Sequence, residues 1–142
     1  MWLTIQNDQL SLSISTLGAE MMSLHSTDGT EYLWQGNPRY WPNRAINLFP
    51  FIGRLTNNSY RLNDHLYPMS IHGFAWTSEF SLIDHKKDYL VLELTDNEET
   101  RKQANKFYLL LQVCSVKLKH GRNTDFRWGI YMESGNGKRH KN

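Results

Sequence analysis

Apolar and polar residues alternate near the start of the chain. Leu10, Leu12 and Ile14 fall on one side, and Ser11, Ser13 and Ser15 on the other. That period of two predicts a half-buried strand. Leu17-Gly18-Ala19-Glu20 reads as a bend, and Met21, Met22 and Leu24 open a second strand. Ser26-Thr27-Asp28-Gly29 is a turn signal, because Asp-Gly favours a tight hairpin. Glu31-Tyr32-Leu33-Trp34 is therefore expected as the return strand.

Residues 35–45 break the pattern. Gly36, Pro38 and Pro42 interrupt regular structure, with Tyr40 and Trp41 among them. Such a segment either packs over a core or lines a concave site, and packing is the expectation. Leu48 to Gly53 is apolar but contains Pro50. A central strand cannot lose a donor there, so this run reads as an edge strand or a loop lying in the interior. Tyr60 to Met69 suggests a hairpin turning at Asn63-Asp64. Ile71 to Trp76 is a second compact aromatic segment. Phe80 and Leu82 lead to a polar turn over residues 84–88. Tyr89 to Leu94 carries the strongest strand pattern, with Leu90, Leu92 and Leu94 on one face. Asn97 to Arg101 reads as a charged connection, and Phe107 to Val116 as apolar and β-prone. No long helical period and no internal repeat is present. Frequent turn signals between short strands predict an all-β sandwich or barrel.

The chain has 142 residues, a length that fits one domain. Aromatic residues make up 13%, enough apolar surface to argue against general disorder. The single cysteine, Cys114, excludes an internal disulfide framework and a Cys-based zinc site, and reads as an inert buried thiol. No apolar run reaches membrane-spanning length, and Met1 to Gln6 lacks the marks of a secretory signal, so the expectation is a cytoplasmic protein with no membrane partner. A net charge of +2 gives no case for nucleic-acid binding. The charge is uneven, however. Residues 1–114 hold 9 basic and 12 acidic residues, whereas residues 115–142 hold 7 and 2. Residues 134–142 contain no apolar side chain and read as a disordered basic tail behind a domain over 1–133.

Two residues could carry chemistry. Arg54 follows a glycine and an apolar run, which would hold its donor fork on a rigid base; it could equally be a surface arginine closing a strand end. His72 lies between Ile71 and Gly73-Phe74. It could donate a hydrogen bond or act as acid or base, or be a satisfied core histidine. The other histidines form no metal-ligand pair, and no dinucleotide fingerprint, phosphate loop or nucleophile elbow occurs. No metal or organic cofactor is implied.

Several separated motifs resemble one family in the same order. They are Leu17-Gly18-Ala19-Glu20, then Glu31 to Pro38, Tyr40-Trp41-Pro42, Leu48 to Leu55 with Asn57 and Tyr60, Tyr67, Met69, and Ile71 to Ala75. Together they resemble the N-terminal half of the aldose 1-epimerases, the galactose mutarotase family, and in particular its LacX-like branch. The match is clearest over residues 1–103. The resemblance implies the N-terminal part of a large antiparallel β-sandwich, the galactose mutarotase-like supersandwich. It implies interconversion of the α and β anomers of a free aldose sugar such as galactose or glucose. Arg54 would bind sugar oxygens, and His72 would hydrogen-bond the sugar near the ring oxygen. Trp41, Phe74 and Trp76 would wall the cleft.

The family's general acid is a histidine in a Gly-His-Pro context, and its base is a glutamate near the C-terminus. Neither context occurs here, and Glu133 is not assigned that role. Family members are also much longer. The resemblance therefore implies a half domain, from truncation, a frameshift or a decayed gene, that is catalytically impaired and prone to self-association through open sheet edges. Two further readings stand beside it: a carbohydrate-binding module without catalysis, and a structural fragment using its basic tail.

Overall fold

The structure is a computed structural model that describes residues 1–104 in full, and residues 110–118 and 124–132 by their backbone. The described residues form nine strands: β1 (Trp2–Gln6), β2 (Leu10–Ser15), β3 (Met21–Ser26), β4 (Ser59–Leu62), β5 (His65–Pro68), β6 (Ser81–Lys86), β7 (Tyr89–Leu94), β8 (Leu110–Leu118) and β9 (Thr124–Met132), with one short α-helix, α1 (Glu98–Gln103). Strands β1-β2-β3 form one sheet, β4-β5 a hairpin and β6-β7-β8-β9 a second sheet. Every pairing within them is antiparallel. The all-β expectation holds.

Alternation in the sequence becomes alternation in burial. Leu10, Leu12 and Ile14 of β2 are buried, as are Leu90, Leu92 and Leu94 of β7. They join Leu3 and Ile5 of β1, together with Met69, Phe74 and Phe80, in one core. Strand β1 was not read from the sequence, although Leu3 and Ile5 already alternate with Thr4 and Gln6. On its polar face the hydroxyls of Thr4 and Ser13, directly opposed residues, lie 3.1 Å apart.

The hairpin at Asn63-Asp64 forms as expected. Both residues have positive φ, +47° and +62°, the geometry of the tight turn that matches the strands' natural twist. The rings of Tyr60 and Tyr67 stack across it at 5.3 Å.

Three local expectations fail for identifiable reasons. First, Glu31–Trp34 is not a strand; only a bridge between His25 and Glu31 remains. The Glu31 carboxylate accepts the amides of Leu24 and Leu33, each at 2.9 Å, and the Ser23 hydroxyl. These bonds replace ladder pairing. Burial opposes ionisation of Glu31, but the hydrogen bonds from Ser23, Leu33 and Leu24 outweigh it and hold its carboxyl below the usual range. Second, the polar run expected as a turn is strand through Lys86, because β6 pairs with buried β7 and tolerates polar side chains on its open face. Third, the charged connection is α1. Asn97 caps it, its side chain accepting from the amides of Glu99 and Thr100 at 3.0 Å while Thr100 Oγ1 accepts from the Asn97 amide at 2.8 Å. A reciprocal cap of this kind supports even a short helix.

The 35–45 segment is irregular, as expected, but it does not pack inward. Tyr40 is 71% exposed and Trp41 48%. The 48–53 run is a partly interior loop: Phe49 and Phe51 lie against the core, whereas Ile52 faces out. The expected basic tail over 134–142, Glu133 and the side chain of Cys114 lie outside the described residues. Among the described residues no helix is long and apolar enough to cross a membrane.

Candidate functional site

Arg54 and His72 sit on two loops, 49–54 and 70–75, that are fastened together along their main chains. The His72 amide donates to the Gly53 carbonyl at 2.9 Å, and the Phe49 amide to the His72 carbonyl at 3.1 Å. The Phe49 carbonyl accepts from both Phe74 and Ala75, at 2.9 and 3.2 Å. His72 and Gly73 both take positive φ, +66° and +76°, and so fold the second loop back onto the first. At Gly73 only hydrogen fits: a β-carbon would stand 2.1 Å from the Phe49 carbonyl oxygen.

The His72 ring is oriented by the same contact. The Gly53 amide donates to Nδ1 at 3.0 Å. A donor aimed at Nδ1 requires a lone pair there, so the proton of the neutral imidazole resides on Nε2. The ring therefore presents an N–H donor at its outer nitrogen. Arg54, the next residue after Gly53, is exposed, and its Nη1 donates to Asn58 Oδ1 at 2.9 Å.

Arg54 opens onto a groove of about 590 Å³ whose walls include Asn58, Ile71 and the α1 residues Glu99, Lys102 and Gln103. The Tyr60 hydroxyl donates to the Gln103 carbonyl at 3.0 Å and so ties α1 to β4. Glu99 and Lys102 form an exposed pair at 3.0 Å, which contributes little to stability but sets one negative and one positive group on the wall. The aromatic residues expected to wall a cleft do not line this groove. Phe74 is 4% exposed in the core, its ring edge-on to Phe49. Trp76 is half-buried, and its indole N–H donates to the Gly73 carbonyl at 3.2 Å. The Trp41 carbonyl accepts from the Trp34 indole at 2.7 Å within the exposed 34–41 segment. None of the three lines the groove, and neither does His72, whose neighbours Ser70 and Ile71 do.

The sequence singles out the arginine and the histidine but not the groups that hold them. Asn58 carried a weak signal, an Asn-Asn pair just before a strand. The contribution of α1 had a clearer one: Asn97 and Thr100 stand at cap spacing. Among the described residues no cluster of three or more His, Cys, Asp or Glu side chains is arranged to hold a metal ion.

Residues 1–118 match the aldose 1-epimerase family model. The chain is 34% identical over 104 residues to the chromosomal LacX protein of Lactococcus lactis, covering 70% of this chain and 35% of LacX. The structure resembles a galactose mutarotase-like protein from Lactobacillus casei, with a TM-score of 0.86 at 30% identity, over 93% of this chain and 44% of that one. A galactose mutarotase-related enzyme from Lactobacillus acidophilus superposes with a TM-score of 0.81 at 29% identity, over 98% of this chain and 52% of that one. The chain thus spans about a third of the length of the curated relative and about half that of the solved ones. Matched over residues 1–118 and 34% identical to a LacX protein, the chain belongs to the aldose 1-epimerase family.

Proposed function

We propose that this chain carries the sugar-gripping part of an aldose 1-epimerase site, and that it binds a free aldohexose such as galactose or glucose. Arg54 donates to sugar hydroxyl oxygens, and His72 donates through Nε2 toward the ring oxygen. The observation that carries this reading is the Gly53 amide on His72 Nδ1, which leaves the outer nitrogen as a donor.

Mutarotation needs such a donor. A base removes the proton of the anomeric hydroxyl, and an acid protonates the ring oxygen as its bond to the anomeric carbon breaks. Rotation and reclosure then give the other anomer. A fixed donor near the ring oxygen stabilises the negative charge that grows there, and proton transfer itself needs groups of suitable pKa within hydrogen-bond reach. The sequence has no Gly-His-Pro and no late glutamate in a matching context. Arg54 and His72 supply the binding part of this chemistry. Sugar binding without catalysis is the second reading.

Polarimetry of fresh α-galactose with the purified chain tests both, with His72→Ala as the control. Saturable galactose binding that His72→Ala weakens, with no rate above buffer, supports binding with impaired catalysis. Acceleration by the wild type alone would show that acid and base are supplied after all. Absence of aldose binding by a folded chain would overturn the reading.

A further inference from the structure

We propose that Asn58 is a positioning residue, one that aims the Arg54 guanidinium into the groove beside α1 so that it meets a sugar already aligned. The inference rests on the reading of Arg54 as a sugar-binding donor. An exposed arginine has much rotamer freedom and loses part of it on every binding event unless something holds it beforehand. Here the holder is itself fixed on three sides. The Asn58 backbone is left-handed, φ +50°. Its amide donates to the Leu55 carbonyl at 3.0 Å, and its carbonyl accepts the Met69 amide at 2.8 Å. These bonds direct its side-chain oxygen to Arg54 Nη1 at 2.9 Å. The Met69 contact also leads into the segment that carries His72, and Gly53 joins the loops on the other side through its carbonyl and its amide. Arg54 and His72 are therefore kept in one frame, with Asn58 as the strut on the arginine side.

Asparagine is also a common choice for any left-handed turn position, so the test must separate the side chain from the backbone. Asn58→Gly keeps the backbone conformation and removes the amide group. Asn58→Asp keeps an acceptor oxygen. The readouts are ¹⁵N relaxation of the Arg54 side chain and the galactose dissociation constant, both on the full chain. We expect an ordered Arg54 in the wild type, release of its guanidinium with galactose binding weakened about fivefold to tenfold in Asn58→Gly, and recovered order in Asn58→Asp. Unchanged Arg54 order in Asn58→Gly would overturn the proposal. So would a wild-type Arg54 as mobile as in the urea-unfolded chain, a comparison that decides the matter even if Asn58→Gly does not fold. An ordered wild-type Arg54 that Asn58→Gly releases, in a chain that binds no aldose, would uphold the Asn58–Arg54 contact and overturn the sugar reading instead.

Discussion

The Phe49 carbonyl oxygen occupies the space where a side chain on Gly73 would begin, 2.1 Å from the position of its β-carbon. That oxygen also accepts the amides of Phe74 and Ala75, so it cannot withdraw without breaking two hydrogen bonds. The contact holds the loop bearing Arg54 against the loop bearing His72.

Gly73→Ala should therefore cost about 3 kcal/mol or more, combining left-handed strain with a clash against backbone. Gly29→Ala is the matched control. Its φ is +87°, but nothing lies within 4 Å of the added carbon. It should cost only about 1–2 kcal/mol, from strain alone. Urea unfolding of the two variants checks the difference, and equal losses would contradict the packing argument.

The two strands of the β6–β7 hairpin should respond very differently to truncation. Leu92 is fully buried, whereas Ile83 is 55% exposed at a register shift in β6. Leu92→Ala should destabilise by about 2–5 kcal/mol, because it opens a cavity in the core. Ile83→Ser should stay within about 0.5 kcal/mol, as expected for a surface position. Thermal unfolding of both variants measures this.

The helix wall of the groove depends on its cap. Asn97→Ala removes the acceptor used by the Glu99 and Thr100 amides and should cost about 1 kcal/mol. Amide exchange in residues 98–103 should accelerate, while the β7 amides change less. Because α1 lines the groove with Arg54, galactose affinity should fall as well, without a change in the His72 ring signals.

Much of this was legible in the sequence because strands record burial at a period of two. Leu10-Leu12-Ile14 and Leu90-Leu92-Leu94 could be assigned to a core from spacing alone, and Asn63-Asp64 announced its turn. The misreadings share another cause. At Glu31 a side chain took the hydrogen bonds that a strand would have used, and spacing does not record that choice. At Asn97 the cap signal was present, but a helix this short leaves no period to accompany it. The site divides in the same way. Arg54 and His72 stand in recognisable motifs, whereas their supports, Asn58 and the Gly53 amide, appear only once the loops are folded together. Phe74 shows the converse: the aromatic two residues after His72 is used for the core.

The Asp28 turn should weaken in acid. Hydrogen bonds, first from the Ser26 hydroxyl and then from the Thr30 amide, hold the Asp28 carboxyl down to about 2. A carboxylate whose folded value lies below its unfolded one stabilises the fold above the ordinary carboxylate range. That contribution is lost as pH falls from about 4 toward about 2. Carboxyl NMR titration should place the Asp28 midpoint well below that of a free aspartate. The Thr30 amide should exchange faster over the same interval, and Asp28→Asn should remove that pH dependence.

The state of the His72 ring can be read directly. An N–H donor 3.0 Å from Nδ1 allows only the tautomer protonated at Nε2 when the ring is neutral. Side-chain ¹⁵N spectra above neutral pH should therefore show an unprotonated Nδ1 and a protonated Nε2, with a scalar coupling across the hydrogen bond from the Gly53 amide. His72→Gln extends the argument to binding, because glutamine can place an amide N–H near the position of Nε2 but has no counterpart to Nδ1. Galactose affinity should fall less in His72→Gln than in His72→Ala. If the ring is instead protonated at Nδ1, it presents a lone pair at its outer nitrogen, and the sugar contact assigned to it changes from donating to accepting.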